Sequence, residues 1–435
     1  MNITDKTYEL LTDDDRSCDA IPESACKQAP GNFLLNASNG SLTKLAEQIA
    51  SPSLVLPWFL SALGVPSSLS GLLVPIHKGG SLFPQLIVSG KIRAFNIRKW
   101  FWVGAGLTQA LALFLMGVTG LLTDGLTAGI LILLLLLIFS IASGVGSVSF
   151  KDVLAKTIPK GERGTLLSVR AMVGGALALL AGVFINRYIG EGEDVSLYVL
   201  LVGVAGILWF FAALLFAMIK EEKGATEGGR SAFNEAVNGY KVLKKQKYFT
   251  RFIIVRSLLL SVMLVVPFYS IFARDVVSTE ISSLGLFMIT NSLAMVLSSY
   301  VWGRLADKSS HKAMAYGGLL GFFSALVAVM FTFFPESWQS PLLYSSVFLF
   351  AGFAHAGVRL GRKTYLIDAA PEKERPLYVA VSNTLVGIVT IASGLFGIFA
   401  DLLGVNWLIG IFALMMVSGS ILSLTLPKPS KMVIE

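Results

Sequence analysis

Charged residues and cysteines are both scarce in this chain. Of its 435 residues, 14% are charged and 54% are hydrophobic, and the mean hydropathy is +0.72. Soluble domains carry about 25% charged residues. Three histidines and two cysteines also leave little material for a metal centre. The composition therefore excludes a soluble globular enzyme and indicates a polytopic membrane protein.

Sequence motifs of enzymes are absent as well. The sequence has no phosphate-binding loop, so ATP-driven transport by this chain is not expected. It has no H-E-x-x-H or G-x-S-x-G motif and no cysteine metal cluster, so we expect no enzyme activity, no cofactor and no metal. The net charge of +8 comes from basic residues spread over short loops, which does not indicate a nucleic-acid partner.

The two cysteines, Cys18 and Cys26, lie in a polar N-terminal segment that carries the run Asp13-Asp14-Asp15. Their spacing fits neither a zinc site nor a redox pair, and in a cytoplasmic segment they are expected to stay reduced. The segment has no apolar core, so no cleavable signal peptide is expected. We predict that residues 1–41 form an acidic, disordered cytoplasmic tail.

Twelve segments are apolar over roughly 20 residues, the length that crosses a membrane. They are Leu42–Leu63, Leu69–Ser89, Trp100–Leu122, Thr127–Phe150, Thr165–Ile185, Leu197–Ile219, Phe252–Phe272, Ser282–Val301, Ala313–Phe334, Leu342–Gly361, Leu377–Ala400 and Trp407–Leu426. The first is the weakest, because Lys44 and Glu47 lie in its opening turns and Pro52 interrupts it. We keep it because the internal repeat described below requires it.

The distribution of basic residues predicts the orientation. With the N-terminus inside, the loops after the even-numbered spans and the C-terminal segment hold 25 Lys and Arg, whereas the opposite loops hold two, Arg187 and Arg274. This asymmetry follows the positive-inside rule, so both termini are predicted to be cytoplasmic.

The longest interior polar stretch divides the spans six and six. Within it, Ser231–Lys247 is expected to form an amphipathic helix on the membrane surface. The predicted organisation is the tail 1–41, a six-helix bundle 42–219, a cytoplasmic linker 220–251, a second six-helix bundle 252–426 and a cytoplasmic tail 427–435.

The two halves also repeat each other in sequence. Val55-Leu-Pro57 recurs as Val265-Val-Pro267, and Lys151 recurs as Lys363, 212 residues further on. Parallel repeats of this kind place a substrate site near the middle of the membrane, between two halves that rock against each other.

The stretch Tyr300–Lys312 reads Tyr-Val-Trp-Gly-Arg-Leu-Ala-Asp-Lys-Ser-Ser-His-Lys. It resembles the G-x-L-A-D-[KR]…[KR] loop of the major facilitator superfamily, which joins the second and third helices of each half. The resemblance implies an all-α membrane protein of 12 transmembrane helices in two pseudo-symmetric six-helix halves, and a monomer. The predicted gating-loop residues are Gly90, Gly303, Arg304, Asp307, Lys308 and Lys312.

Physical arguments support a gating role for this loop. Gly303 is expected to let two helix ends approach closely, and Asp307 is expected to accept from the first amides of the following helix. In the first copy of the loop Ala94 replaces the aspartate, so the first half is expected to lack that latch. Lys44–Pro52, Leu73–Gln85 and Lys151–Arg163 resemble a little-characterised bacterial subgroup of the superfamily, which brings no substrate with it.

Ionisable residues inside a membrane are costly and mark candidate functional sites. The candidates for substrate binding or coupling, together with three neutral polar residues, are Glu47, His77, Lys78, Gln85, Arg170, Arg256, Asn291, His355, Arg359 and Asn383. Lys78 lies deepest and requires an aqueous cavity, an anionic ligand or an acidic partner such as Glu47. Glu47 is the candidate proton carrier. Arg170 and Arg256 have the alternative of reaching toward the membrane surface.

The excess of buried cations favours one function, a secondary active transporter of a small anionic solute in the inner membrane of a bacterium. An alternative on the same fold is an efflux pump for amphiphilic compounds. Span 5 lacks the Gly-Pro pair typical of drug/proton antiporters, and its glycines are predicted to be packing positions. A third hypothesis, of another class, is a non-transporting membrane sensor or assembly partner, which would need a folded accessory domain. The expected partners are a small-molecule substrate and the lipid bilayer.

Overall fold

A computed structural model describes residues 3–12, 21–159, 162–188, 194–223, 246–369 and 375–427, and the regular structure in these ranges is helical. The helices of the first half are α1 (Ile3–Leu11), α2 (Glu23–Ile49), α3 (Val55–Ala62), α4 (Ser67–Ser70), α5 (Leu73–Arg93), α6 (Lys99–Leu122), α7 (Gly125–Thr157), α8 (Arg163–Tyr188) and α9 (Val195–Ala217). Those of the second half are α10 (Lys247–Leu258), α11 (Ser261–Leu264), α12 (Val266–Val276), α13 (Ile281–Lys308), α14 (Ser310–Met330), α15 (Pro341–Ala369), α16 (Arg375–Ala392), α17 (Phe396–Leu403) and α18 (Val405–Leu424).

Nine helical segments of the described chain are long and apolar enough to cross a membrane. The three expected spans outside this set are the first, second and eighth, which correspond to α2–α3, α5 and α13. These spans contain Glu47, Lys78 and Asn291, three of the candidate site residues. The protein is an all-α membrane protein, and the twelve expected spans fit its helices.

The first span of each half is interrupted. In the first half α2 ends at Ile49 and α3 begins at Val55, with Pro52 between them. In the second half the span is divided into α10, α11 and α12, and Pro267 lies in the first turn of α12. Proline supplies no backbone N–H and disrupts the preceding turn. Irregular backbone at this depth is tolerated where it faces protein or a cavity rather than lipid.

The N-terminal segment differs from the sequence prediction. Instead of a disordered tail up to residue 41, α2 runs without interruption from Glu23 to Ile49 and packs against α8 and α9. Two of its asparagines bond to α9 and to the segment after it: the Asn39 side chain donates to the carbonyl of Ala212 at 2.8 Å, and Asn32 exchanges two hydrogen bonds with the backbone of Lys220 at 2.9 and 3.0 Å. Such polar side chains join helices inside a membrane, so the first bundle begins well before residue 42.

Helix α1 is also ordered. Tyr8 is buried, its ring packs edge-on against Phe33 with centroids 5.3 Å apart, and its hydroxyl donates to Glu162. The expectation of reduced cysteines is wrong for Cys26, which is disulfide-bonded. The other cysteine, Cys18, lies outside the described residues, as do 224–245, where the amphipathic linker helix was predicted.

The two halves meet mainly at one end of the bundle. We call the end with the α5–α6, α7–α8 and α13–α14 junctions the basic end, because the loops rich in Lys and Arg are there, and the other end the opposite end. At the opposite end α3 packs against α12. Trp58 donates through its indole N–H to the Ser270 carbonyl, and the Ser270 hydroxyl donates to the Leu54 carbonyl at 2.6 Å. Arg274 donates to the Ser61 hydroxyl at 2.7 Å.

A second contact between the halves joins α8 to α13. A Cβ added to Gly285 would lie 2.5 Å from the carbonyl oxygen of Gly182, and a Cβ added to Gly182 would lie 2.8 Å from that of Gly285. The Asn186 side chain donates to the Ser282 carbonyl at 2.9 Å nearby. Gly182 is therefore a packing position, as predicted for the glycines of span 5, whereas a Cβ on Gly175 would meet open space.

A buried carboxylate lies at the N-terminus of α6, at the basic end. Glu221, which follows α9, accepts from the backbone N–H of Arg98 at 2.9 and 3.0 Å and from that of Lys99 at 2.7 Å. The Lys156 ammonium donates to it at 2.7 Å, and the Glu221 side chain has no exposed surface. A carboxylate is favoured at a helix N-terminus by the helix dipole. Glu221, from the last segment of the first half, thus supplies an acid at the loop where Ala94 replaces the aspartate.

We predict that Glu221→Gln destabilises the protein by about 2–4 kcal/mol, because it leaves Lys156 without its counter-ion and weakens two charge-assisted backbone hydrogen bonds. The measurement is the thermal unfolding midpoint of the purified protein in detergent. Glu222→Gln is the matched control: that side chain is half-buried and has no hydrogen-bond partner among the described residues, so its midpoint should stay near that of the wild type. Equal midpoints for the two variants would contradict the prediction.

Candidate functional site

A cavity of about 240 Å³ lies between the two halves. Its walls come from α2, α3, α5, α6, α7 and α9 of the first half and from α11, α12, α13 and α15 of the second. Six of the residues that the sequence singled out border it: Glu47, His77, Lys78, Asn291, His355 and Arg359. The cavity therefore brings together candidates that are more than 300 residues apart in the chain, such as Glu47 and Arg359.

Glu47 is paired, though with Lys44 rather than with Lys78. The Lys44 ammonium donates to the Glu47 carboxylate at 2.6 Å, one turn apart on α2. Both side chains border the cavity and are partly accessible, with 50% of the Lys44 side chain and 40% of the Glu47 side chain exposed. Glu47 is thus held within the site by a neighbour on its own helix, and the pair adds no net charge.

Lys78 has no such partner. Its side chain is exposed to the cavity from α5, and no hydrogen bond or ion pair to its ammonium is present among the described residues. Glu47 and Arg359 act on it electrostatically from across the cavity. His77 borders the same space: its ring lies 6.1 Å from that of Phe139, and its Nδ1 is buried without a hydrogen-bond partner in the described part of the chain.

The second half contributes one face of α15. His355 and Arg359 are four residues apart and both border the cavity, as their spacing predicted. Arg362 continues this face and was not among the predicted residues, because the span was expected to end at Gly361. In the structure α15 runs on to Ala369. Arg359 and Arg362 have no ion-pair partner among the described residues.

Arg256 and Asn383 form a contact of their own. The guanidinium of Arg256 on α10 donates to the Asn383 amide oxygen at 2.9 Å and to the Ser382 hydroxyl, both on α16. The Nε of Arg256 is buried without a hydrogen-bond partner in the described chain. Together with Arg359 and Arg362, Arg256 borders a second, smaller cavity of about 40 Å³, which adjoins the first.

Arg170 does not border either cavity. Its guanidinium donates to the amide oxygen and, at 3.2 Å, to the carbonyl of Asn36, and it lies over the Phe150 ring, 4.4 Å from the centroid. A Cβ added to Gly40 would collide with it. The contacts of Arg170 join α2 to α8 within one half, so we treat it as a residue that holds these helices together.

The remaining candidates are described only in part. The side chains of Gln85 and Asp307, and the surroundings of Gly90, lie outside the described part of the chain. The segment Gly303–Lys308 belongs to the last turns of α13, and Ser309 alone separates it from α14. Arg304, Lys308 and Lys312 are exposed there. A Cβ added to Gly303 would meet open space, so the expected close helix approach at this glycine is wrong. The gating role itself stays a prediction.

The pattern of helices and the cavity between two repeated halves resemble those of known membrane proteins. Residues 257–434 match the family model of the Major Facilitator Superfamily. The match covers about two fifths of the chain, all of it in the second half, and shows what that half resembles. Uncharacterized proteins of Mycobacterium bovis and Mycobacterium tuberculosis are 24% identical to it over 251 residues, which are 57% of this chain and 48% of each relative. The chain thus spans about half the length of the curated relatives that it matches.

Solved structures of transporters share the fold over most of the chain. The nucleoside transporter NupG matches with a TM-score of 0.69 at 14% identity, over 91% of this chain and 100% of that chain. A D-xylose–proton symporter matches with a TM-score of 0.64 at 17% identity, over 91% and 98%. At these identities the likeness establishes the major facilitator fold and nothing about the solute.

We predict that Arg170→Gln lowers stability by about 1–3 kcal/mol, because it removes charge-assisted hydrogen bonds to Asn36 and the contact with Phe150. The affinity of a solute that binds in the cavity should change less than about twofold, because Arg170 does not contact the solute. If it did, the loss of a hydrogen bond to a charged group would lower the affinity several-fold or more. Unfolding midpoint and solute affinity are measured on the same preparation. Arg187→Gln, an exposed arginine in the last turn of α8, is the control. Loss of binding without loss of stability in Arg170→Gln would place Arg170 in the site.

Proposed function

We propose that the protein is a secondary active transporter that moves a small anionic solute across the bacterial inner membrane by alternating access. The observation that carries the proposal is the charge balance of the 240 Å³ cavity. Its carboxylate, Glu47, is already neutralised by Lys44, which leaves Lys78 and Arg359 unpaired on opposite walls. Two unpaired cations in an enclosed site favour an anion, because desolvated charges need a counter-charge.

The position of these two cations suits alternating access. Lys78 belongs to the first half and Arg359 to the second, so an anion held by both would connect the two bundles that move. The halves are joined at the opposite end by contacts such as that of Trp58 with Ser270, and we infer that the cavity opens toward the basic end, where Lys44 and Glu47 are partly exposed. With the orientation that the positive-inside rule predicts, the basic end is cytoplasmic, and the described conformation faces the cytoplasm. Transport is further supported by structural neighbours that are named as a nucleoside transporter and a proton symporter.

The Lys44–Glu47 pair offers a route to proton coupling. When Glu47 is ionised, it occupies the Lys44 ammonium at 2.6 Å. Protonation of Glu47 removes the negative charge and releases Lys44, which adds a third unpaired cation to the cavity. Proton uptake and anion binding then favour each other, which is the linkage that a proton–anion symporter needs. Within the cavity Glu47 therefore acts as the proton carrier, and Lys44 becomes available to bind the anion when Glu47 is protonated.

The first test is a thermal-shift screen of the wild type and Lys78→Met against metabolites grouped by charge. A ligand at about 100 times its dissociation constant adds about 2.7 kcal/mol to the folded state. Carboxylates or phosphates should raise the wild-type midpoint and leave that of Lys78→Met unchanged. Lys27→Met is the control, because that lysine is 75% exposed and far from the cavity on α2. Equal stabilisation of the wild type and Lys78→Met by lipophilic cations would instead support an efflux pump for amphiphilic compounds.

The coupling scheme makes a separate prediction about pH. In the wild type, anion affinity should increase as the pH falls and Glu47 takes up a proton. In Glu47→Gln, affinity should be high and should no longer rise as the pH falls, and uptake into proteoliposomes should no longer respond to a pH gradient while anion exchange continues. In Glu47→Gln/Lys44→Met the gain in affinity should disappear, because no ammonium is released. A pH dependence that persists in Glu47→Gln would exclude Glu47 as the carrier.

A further inference from the structure

The small cavity of about 40 Å³ in the second half has an unusual lining. Three arginines border it, one from α10 and two from α15: Arg256, Arg359 and Arg362. The remaining lining consists of His355 and apolar side chains such as Leu259 and Val358, and among the described residues it includes no carboxylate. Three guanidinium groups around one space repel one another unless an anion lies between them.

The hydrogen bonds of these arginines leave donors free to bind a ligand. Arg256 is fixed by Ser382 and Asn383, and its Nε remains buried without a partner in the described chain. Arg359 and Arg362 have neither an ion pair nor a hydrogen bond with a described residue. The planar fork of a guanidinium matches the oxygen pair of a carboxylate or phosphate group. The cavity thus presents unused donors of the kind that bind oxyanions.

The size of the cavity limits what it accepts. Roughly 10–15 Å³ of such space holds one water molecule, so about 40 Å³ has room for a single carboxylate or phosphate group. The cavity shares His355, Arg359 and Met263 with the 240 Å³ cavity. Arg359 therefore contacts both spaces, and Arg362 lies one turn further along α15, toward the basic end.

We propose that Arg256, Arg359 and Arg362 form a second oxyanion-binding site, through which the charged group of the solute passes between the basic end and the main cavity. This inference rests on the proposed transport of an anion. Because Arg359 borders both cavities, it transfers the oxyanion from Arg362 to Lys78 without leaving it unpaired in the membrane. All three arginines belong to the second half, so this site moves with one bundle, whereas the main cavity is shared by both.

The test is a titration of the full chain in detergent with inorganic phosphate, followed by ³¹P NMR. The wild type should bind two phosphate ions. Arg362→Gln should weaken one site about tenfold or more, the effect of losing a charge-assisted hydrogen bond, and keep the other. Lys78→Met should show the converse. The matched control is Lys363→Gln, which removes the same charge from the adjacent, exposed side chain and should bind phosphate as the wild type does. Arg362→Lys, which keeps the charge and loses the fork, should lie between the wild type and Arg362→Gln.

The outcomes separate this inference from the function on which it rests. If Arg362→Gln binds both ions while Lys78→Met loses one, the second site is wrong and the transport proposal stands. If Lys78→Met binds both ions while Arg362→Gln loses one, the arginine site stands and the main cavity is not an anion site. Equal losses in Arg362→Gln and Lys363→Gln would show binding by surface charge alone and overturn the second site. Displacement of the phosphate by phosphatidylglycerol, but not by phosphatidylcholine, would assign the arginines to a lipid headgroup and overturn it as well.

Discussion

The structure depends on one constraint, the cost of placing ionised side chains inside a membrane. The protein meets this cost by turning charged faces of a few helices toward a cavity between two bundles. Glu47, Lys78 and Asn291 lie on three different helices and all border this cavity. Their polarity is tolerated because the faces concerned meet water or a ligand and not lipid.

At the opposite end of the bundle, the contacts between the halves differ from the charged lining of the cavity. There the halves are joined by backbone carbonyls, small residues and single hydrogen bonds, as in the contact of Gly182 with Gly285 and the bonds of Ser270 and Arg274. Glycines allow two helix backbones to touch, which gives dispersion contact where the hydrophobic effect offers little. No ion pair joins the two halves among the described residues. Contacts without ion pairs separate at modest cost, as the proposed alternating access requires.

Much of the fold followed from the sequence because hydropathy and the internal repeat are strong signals. They gave the helical class, the two halves and most candidate residues that border the cavity. The start of α2 was missed because Asn32, Asn36 and Asn39 read as a polar tail, whereas these side chains bond to neighbouring helices or to Arg170. Such partners are more than 100 residues away in sequence, and a local pattern contains no information about them.

The site shows the same division between local and distant information. The spacing of His355 and Arg359 was sufficient to place them on one face, and extending that spacing by three residues would have found Arg362. The Lys44–Glu47 pair was equally accessible from an i, i+3 spacing. By contrast, the role of Glu221 at the start of α6 could not be read from its neighbours, since its partners come from two distant segments of the chain.

The charges on the two walls also oppose closure of the cavity when no solute is bound. Lys78 and Arg359 are carried by different halves, and like charges that approach in a medium of low dielectric repel strongly. Closure of the basic end would bring these walls together and remove the water that screens them. Under the proposed function, an anion between them would convert the repulsion into two attractions, so the loaded cavity could close while the empty one resists. The same two residues would then determine both which solute binds and whether the halves move, which is why selectivity and coupling are expected to change together when either is altered.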